Sequence, residues 1–200
     1  MSTWLQRVVP VLILIALMWV SEIVDTLLPM RMDAWGIRPR ELEGLSGIVL
    51  SPFLHLGFGH LIANTSGLLV LGALLAWTTR HLWTVTIGTI LLSGLGVWLF
   101  GGSNTVVIGA SGVVYGFAAF LAVYGFAARR WGPALVGVLV LTFYGSLLWG
   151  VLPLRAGVSW QGHLFGALAG IALALWLGRR DRDARSGRIS GRRLSARPTR

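Results

Sequence analysis

The stretch VIGASGVVYGFAAFLAVYGFAA, residues 107–128, carries no charge and is long enough to cross a bilayer, yet it holds Ser111 near one end and Tyr115 one helical turn further on. About 20 consecutive apolar residues make a membrane-spanning helix. Polar side chains inside such a segment are costly and mark function by default. Further apolar runs fall near 8–28, 58–78, 82–100, 132–152 and 162–178, so the expected fold is an all-α polytopic membrane bundle of six spans. Composition agrees. The chain has 200 residues, 55% hydrophobic and only 12% charged, against about 25% charged in soluble domains. There is no cysteine, which excludes disulfides, thiolate metal sites and a cysteine nucleophile.

The net charge of +10 is unevenly spread. Residues 179–200 hold nine of the 17 basic residues, all arginine, with Asp181 and Asp183. A basic tail after a last span reads as a lipid-facing cytoplasmic anchor. No aromatic residue interleaves these arginines, so nucleic acid is not an expected partner. The reading is a six-span domain over 1–178 and a disordered tail, with 181–200 lacking apolar periodicity. Arg7, Arg80, Arg129, Arg130 and the tail occupy alternate connections, which places both termini in the cytoplasm. The first run lacks a small-residue cleavage site after it and reads as a retained anchor. The connection 29–57 mixes Trp35, Leu42, Leu45, Ile48, Val49, Leu50 and Phe53 with charges, the pattern of a segment lying in the membrane interface.

On that topology His60, Ser111 and His163 approach the outer ends of spans two, four and six. A serine hydroxyl becomes nucleophilic when a neighbouring base accepts its proton, and His163 is the obvious base. No Asp or Glu lies within spans two to six, so the chemistry is that of a Ser–His dyad without a carboxylate. Gly109 and Gly112 flank Ser111 and permit a tight turn with close approach of a substrate backbone. Gly112 and Gly116, and likewise Gly162, Gly166 and Gly170, repeat every four residues. Small residues so spaced let two helices approach closely, either as general packing or to bring Ser111 and His163 together. Tyr115 shares a face with Ser111 and is placed to orient the imidazole or to fill core. His60 and Asn64, four apart on one face, are either oxyanion donors or helix cross-links. His55 borders this group, and His81 belongs to the inner interface.

Three motifs in order, His-Leu-Gly-Phe-Gly-His-Leu-Ile-Ala-Asn (55–64), Gly-Ala-Ser-Gly-Val-Val-Tyr (109–115) and Trp-Gln-Gly-His-Leu-Phe-Gly (160–166), resemble the rhomboid family of intramembrane serine proteases. Gly-Ile-Arg-Pro-Arg at 36–40 and Ser-Pro-Phe-Leu-His at 51–55 resemble the first external loop of bacterial members. The resemblance spans about 36 to 170. It implies Ser111 as nucleophile, His163 as base, and His60, Asn64 and the Ser111 amide as the oxyanion hole, with Tyr115 beneath the histidine. It also implies the minimal six-span form in a bacterial inner membrane, no metal or cofactor, and substrates that are single-span or other membrane proteins. Rival chemistries fit less well. A metalloprotease needs His-Glu-x-x-His, and no Glu follows any histidine here. An aspartyl protease needs two embedded aspartates, whereas Asp25, Asp33, Asp181 and Asp183 lie at or beyond span ends. A small channel or transporter would line a path through both leaflets, and a noncatalytic helix-binding protein would need no nucleophile.

Overall fold

The computed structural model describes residues 4–28, 30–154 and 157–195. Its long helices are α1 (Trp4–Leu27), α3 (Phe58–Thr78), α4 (Leu82–Phe100), α5 (Ser111–Ala127), α6 (Trp131–Tyr144) and α7 (Trp160–Ser195), with a short α2 (Gly47–Leu50) between the first two. Among the described residues there is no strand, only an isolated antiparallel bridge between Ile37 and Val107. With no water in the hydrocarbon to satisfy backbone groups, helices are the solution open to such apolar segments.

Five segments are long and apolar enough to cross a membrane, the one at α6 running on through a 3-10 turn to Val151. The expected fourth span, 107–128, is the exception. α5 has 17 residues, about 25 Å of helix against a hydrocarbon core of about 30 Å. It starts late because Gly109 has φ +108°, a left-handed conformation that ends helical geometry and favours glycine. The chain before it instead donates the Gly109 N–H to the Ser51 carbonyl (2.8 Å) and pairs Val107 with Ile37. Ser111 is thereby the first residue of α5 rather than a residue inside a turn of it.

α5 is the hub, packed by α7, α6, α3 and α4. Its Phe117, Phe120, Leu121 and Tyr124 are fully buried, together with Leu61, Leu68, Leu71 and Leu75 of α3. The outer faces of the bundle stay apolar (Leu12, Leu69, Leu91, Leu139 and Phe143 are exposed), as suits a surface solvated by lipid. The glycine rows act as the spacing suggests. A Cβ at Gly166 would collide with the Gly112 carbonyl, and one at Gly170 with the Gly116 carbonyl. Backbone therefore touches backbone along α5 and α7.

The 29–57 connection is folded. Short 3-10 turns at Met32–Trp35, Leu42–Leu45 and Ser51–Phe53 flank α2. Arg40 anchors them to the end of α4, donating to the carbonyls of Leu99 (3.1 Å) and Gly101 (2.8 Å) and to Ser103 Oγ (2.8 Å). Trp98 Nε1 returns a hydrogen bond to the Glu41 carbonyl at 2.9 Å. One arginine thus satisfies carbonyls that a helix end leaves without partners.

The tail expectation needs correction. α7 continues to Ser195, so 181–195 is helical; 196–200 lie outside the described residues. Its first turn past the apolar run is held by Asp181, whose carboxylate accepts from the Tyr124 hydroxyl at 2.6 Å and lies 3.1 Å from His81 Nε2. Arg185 reaches the Ala128 carbonyl at the turn after α5. These contacts tie the helix to its neighbours one turn and more beyond the apolar run. Replacing Asp181 with Ala is expected to lower stability by about 2 kcal/mol, the worth of a hydrogen bond to a charged group. The check is the thermal unfolding midpoint in detergent, and an unchanged midpoint would show that Asp181 does not hold the helix.

Candidate active site

Three loops and helix starts converge at one end of the bundle. The turn at Gly109 delivers Ser111 at the α5 N-terminus. The glycine contact brings the first turn of α7 beside it, and there the Ser111 hydroxyl lies 3.0 Å from His163 Nε2. The other ring nitrogen, Nδ1, is 2.8 Å from the Gly150 carbonyl. A carbonyl can only accept, so Nδ1 carries the proton and Nε2 presents its lone pair to the serine. Tyr115 stacks on the imidazole with ring centroids 4.1 Å apart and planes 6° from parallel. The ring is thus fixed in plane by a carbonyl and face-on by a tyrosine, and His163 is buried.

Gly150 belongs to the 3-10 segment Gly145–Val151 that follows α6. A side chain there would run into the Tyr115 hydroxyl. This partner is invisible in the sequence, since a backbone carbonyl has no residue-type signature. Glycine at 150, beside a tyrosine and a histidine from distant segments, is intelligible only once they are assembled.

His60 and Asn64 lie on the other side of the Gly109 turn. A Cβ built on Gly109 would come within 2.6 Å of His60 Cε1, 2.9 Å of His60 Nε2 and 3.6 Å of Asn64 Nδ2. Gly109 is therefore required both by its backbone angle and by the two side chains packed against it. The Leu56 N–H points at His60 Nδ1 (3.4 Å), which favours a proton on Nε2, the nitrogen facing Gly109. Asn64 is buried, and its Nδ2 has no hydrogen-bond partner among the described residues. An unpaired buried donor costs about 1–3 kcal/mol. His55 packs edge-on against His60 at 5.0 Å. Burial, with a smaller contribution from His60, pushes the His55 imidazole down to about 4, so it is neutral at pH 7.

A small cavity of about 30 Å³ opens beside Ser111, lined in part by Ser51, Ser93 and Ser159. That is room for a water molecule with polar partners. Ser93 donates to the Gly162 carbonyl at 3.3 Å, and Gly162 N–H donates to Ser159 Oγ at 3.2 Å. The candidate site residues Ser111, His163, Tyr115, Gly109, Gly112, His60 and Asn64 meet at this end. His81 is at the other, beside Asp181. Among the described residues no group of three or more His, Asp or Glu is placed to hold a metal ion.

These features define an integral, multi-pass, all-α membrane protein with a serine and a histidine in hydrogen-bond contact at one end of the bundle. Residues 43–180 match the rhomboid domain, and the chain belongs to the rhomboid family, whose members are intramembrane serine proteases. It is similar to uncharacterized proteins of Mycobacterium tuberculosis and Mycobacterium bovis, each 42% identical over 200 residues, covering 95% of this chain and 83% of the relative. An uncharacterized protein of Mycobacterium leprae is 40% identical over 198 residues, covering 94% of this chain and 78% of its own length.

Proposed function

We propose that the chain is a serine endopeptidase that cleaves membrane proteins within or beside their spanning segments, with Ser111 as nucleophile and His163 as general base. The observation that carries this reading is the line from Ser111 Oγ to His163 Nε2 (3.0 Å) and from Nδ1 to the Gly150 carbonyl (2.8 Å). As Oγ bonds to the scissile carbonyl carbon, its proton passes to Nε2, and the imidazolium so formed keeps its Nδ1–H on Gly150. The carbonyl takes the orienting place that a carboxylate holds in a triad. The oxyanion is met by the Ser111 N–H at the helix start and by His60 Nε2–H and Asn64 Nδ2–H. Collapse of the intermediate transfers the proton from Nε2 to the leaving amine. Water, for which the cavity beside Ser111 has room, then releases the acyl group by the same base. Single-span membrane proteins are the expected substrates, since a lipid-facing bundle meets them laterally.

The test is incubation of the purified protein with a panel of single-span membrane proteins beside a Ser111→Ala control. Cleavage by the wild type alone supports the reading. No cleavage of any member, by protein that also fails to react with a serine-directed phosphonate, counts against it.

The positive-inside pattern supports both termini facing the cytoplasm of a bacterial inner membrane, with Ser111 and His163 toward the outer side. Reporters inserted after Arg80 and after Arg130, and one at the C-terminus, should all read inside. An outside reading after Arg130 would put α5 in the opposite orientation and break this topology.

A further inference from the structure

At the end of the bundle away from Ser111 lies a second and much larger cavity, of about 400 Å³. Tyr124, on its wall, is 13 residues along α5 from Ser111, about 20 Å. Four arginines from four different places line it: Arg7 of α1, Arg80 after α3, Arg130 after α5 and Arg185 of α7. Asp181 is the single carboxylate on the wall, and it already accepts from Tyr124 at 2.6 Å and faces His81 at 3.1 Å, with Arg80 no nearer than 3.9 Å. Arg80, Arg130 and Arg185 alone outnumber that carboxylate three to one, so the wall carries a net positive charge. Like charges converging on one concavity are costly unless an anion shares the space.

We propose that this cavity binds a phosphate-bearing anion, either the headgroup of an anionic phospholipid or a free phosphate compound. Guanidinium groups present paired N–H donors that match phosphate oxygens, and basic pockets between helices at the cytoplasmic end of a bundle suit such headgroups. Arg185 spends one donor on the Ala128 carbonyl, and a guanidinium has five. Trp77, 67% exposed, stands on the wall, where an indole is at home between acyl chains and headgroups. The occupant would join the ends of α1, α3, α5 and α7, so its binding stabilises the folded bundle by mass action. The site is remote from Ser111 and is read by binding, so it stands or falls separately from the protease assignment.

The experiment is a thermal unfolding titration of the full-length protein in a neutral detergent at constant ionic strength. Dioctanoyl phosphatidylglycerol, dioctanoyl phosphatidylcholine and sodium phosphate are added in parallel. Phosphatidylglycerol should raise the midpoint saturably and phosphatidylcholine should not. A matching rise with inorganic phosphate would identify a free phosphate as sufficient, and a rise with phosphatidylglycerol alone would identify the lipid. The Arg130→Gln/Arg185→Gln variant should need about thirtyfold more ligand for half its effect, and Arg80→Gln alone about fivefold more. Should the double variant not fold, the single one gives the same comparison. Equal responses to the two lipids with none to phosphate, or half-saturation unmoved by these substitutions, would overturn the proposal.

Discussion

Ser111→Ala and His163→Ala are each expected to reduce kcat for peptide cleavage by a factor on the order of 10⁶, as loss of nucleophile or base does in a soluble serine protease. The double variant should be no worse than either single one, because the two groups act as a unit. Ser111 loses only a hydroxyl at the start of α5, so the fold should persist with the backbone contact between Gly112 and Gly166 intact. His163 also gives up its stack on Tyr115, so some stability is lost there, and the unfolding midpoint must accompany the rate. Cleavage by either folded variant within tenfold of wild type would reject the assignment. Among the described residues no other serine hydroxyl is hydrogen-bonded to a histidine ring.

The oxyanion donors carry the next largest effect. Asn64→Ala and His60→Ala are each expected to lower kcat by about 10²–10³ with little change in KM, the cost of one such donor in a serine protease. For Asn64 the structure sharpens the expectation. Its Nδ2 has no partner among the described residues, so truncation breaks no hydrogen bond of that nitrogen in the resting protein. A large loss of rate with a midpoint close to wild type is therefore the signature of a donor reserved for the transition state. A raised KM at unchanged kcat would make these residues substrate-binding or structural groups instead. His60 differs, because it contacts both His55 and Leu56, and its replacement should cost stability as well as rate.

Much of this arrangement was legible in the sequence because lipid makes polar residues expensive. Ser111, His163, His60 and Asn64 stand out where almost everything else is apolar, and their periodicity puts them on faces that can meet. The glycine rows likewise foretold the contact between α5 and α7. Other features were illegible for physical reasons. Helix α5 begins at Ser111 because of a backbone angle at Gly109 and a hydrogen bond to Ser51, neither of which apolar run length reports. Arg40 enters the sequence only as part of Gly-Ile-Arg-Pro-Arg, yet it serves as a cap on carbonyls at the end of α4. The orienting partner of His163 is the carbonyl of Gly150, which every residue type possesses. The helical continuation at 181–195 is not legible in hydropathy, which falls at the membrane edge, while the groups that hold Asp181 come from Tyr124 and His81, 57 and 100 residues away in sequence.

In the proposed mechanism Ser111 is a serine made nucleophilic by His163. Treatment of the detergent-purified protein with a fluorophosphonate, followed by mass mapping of the adduct, addresses that directly. A single phosphonyl adduct on Ser111 is expected, absent from Ser111→Ala and formed far more slowly by folded His163→Ala. An adduct on a different residue, or labelling of Ser111 at an undiminished rate without His163, would contradict it.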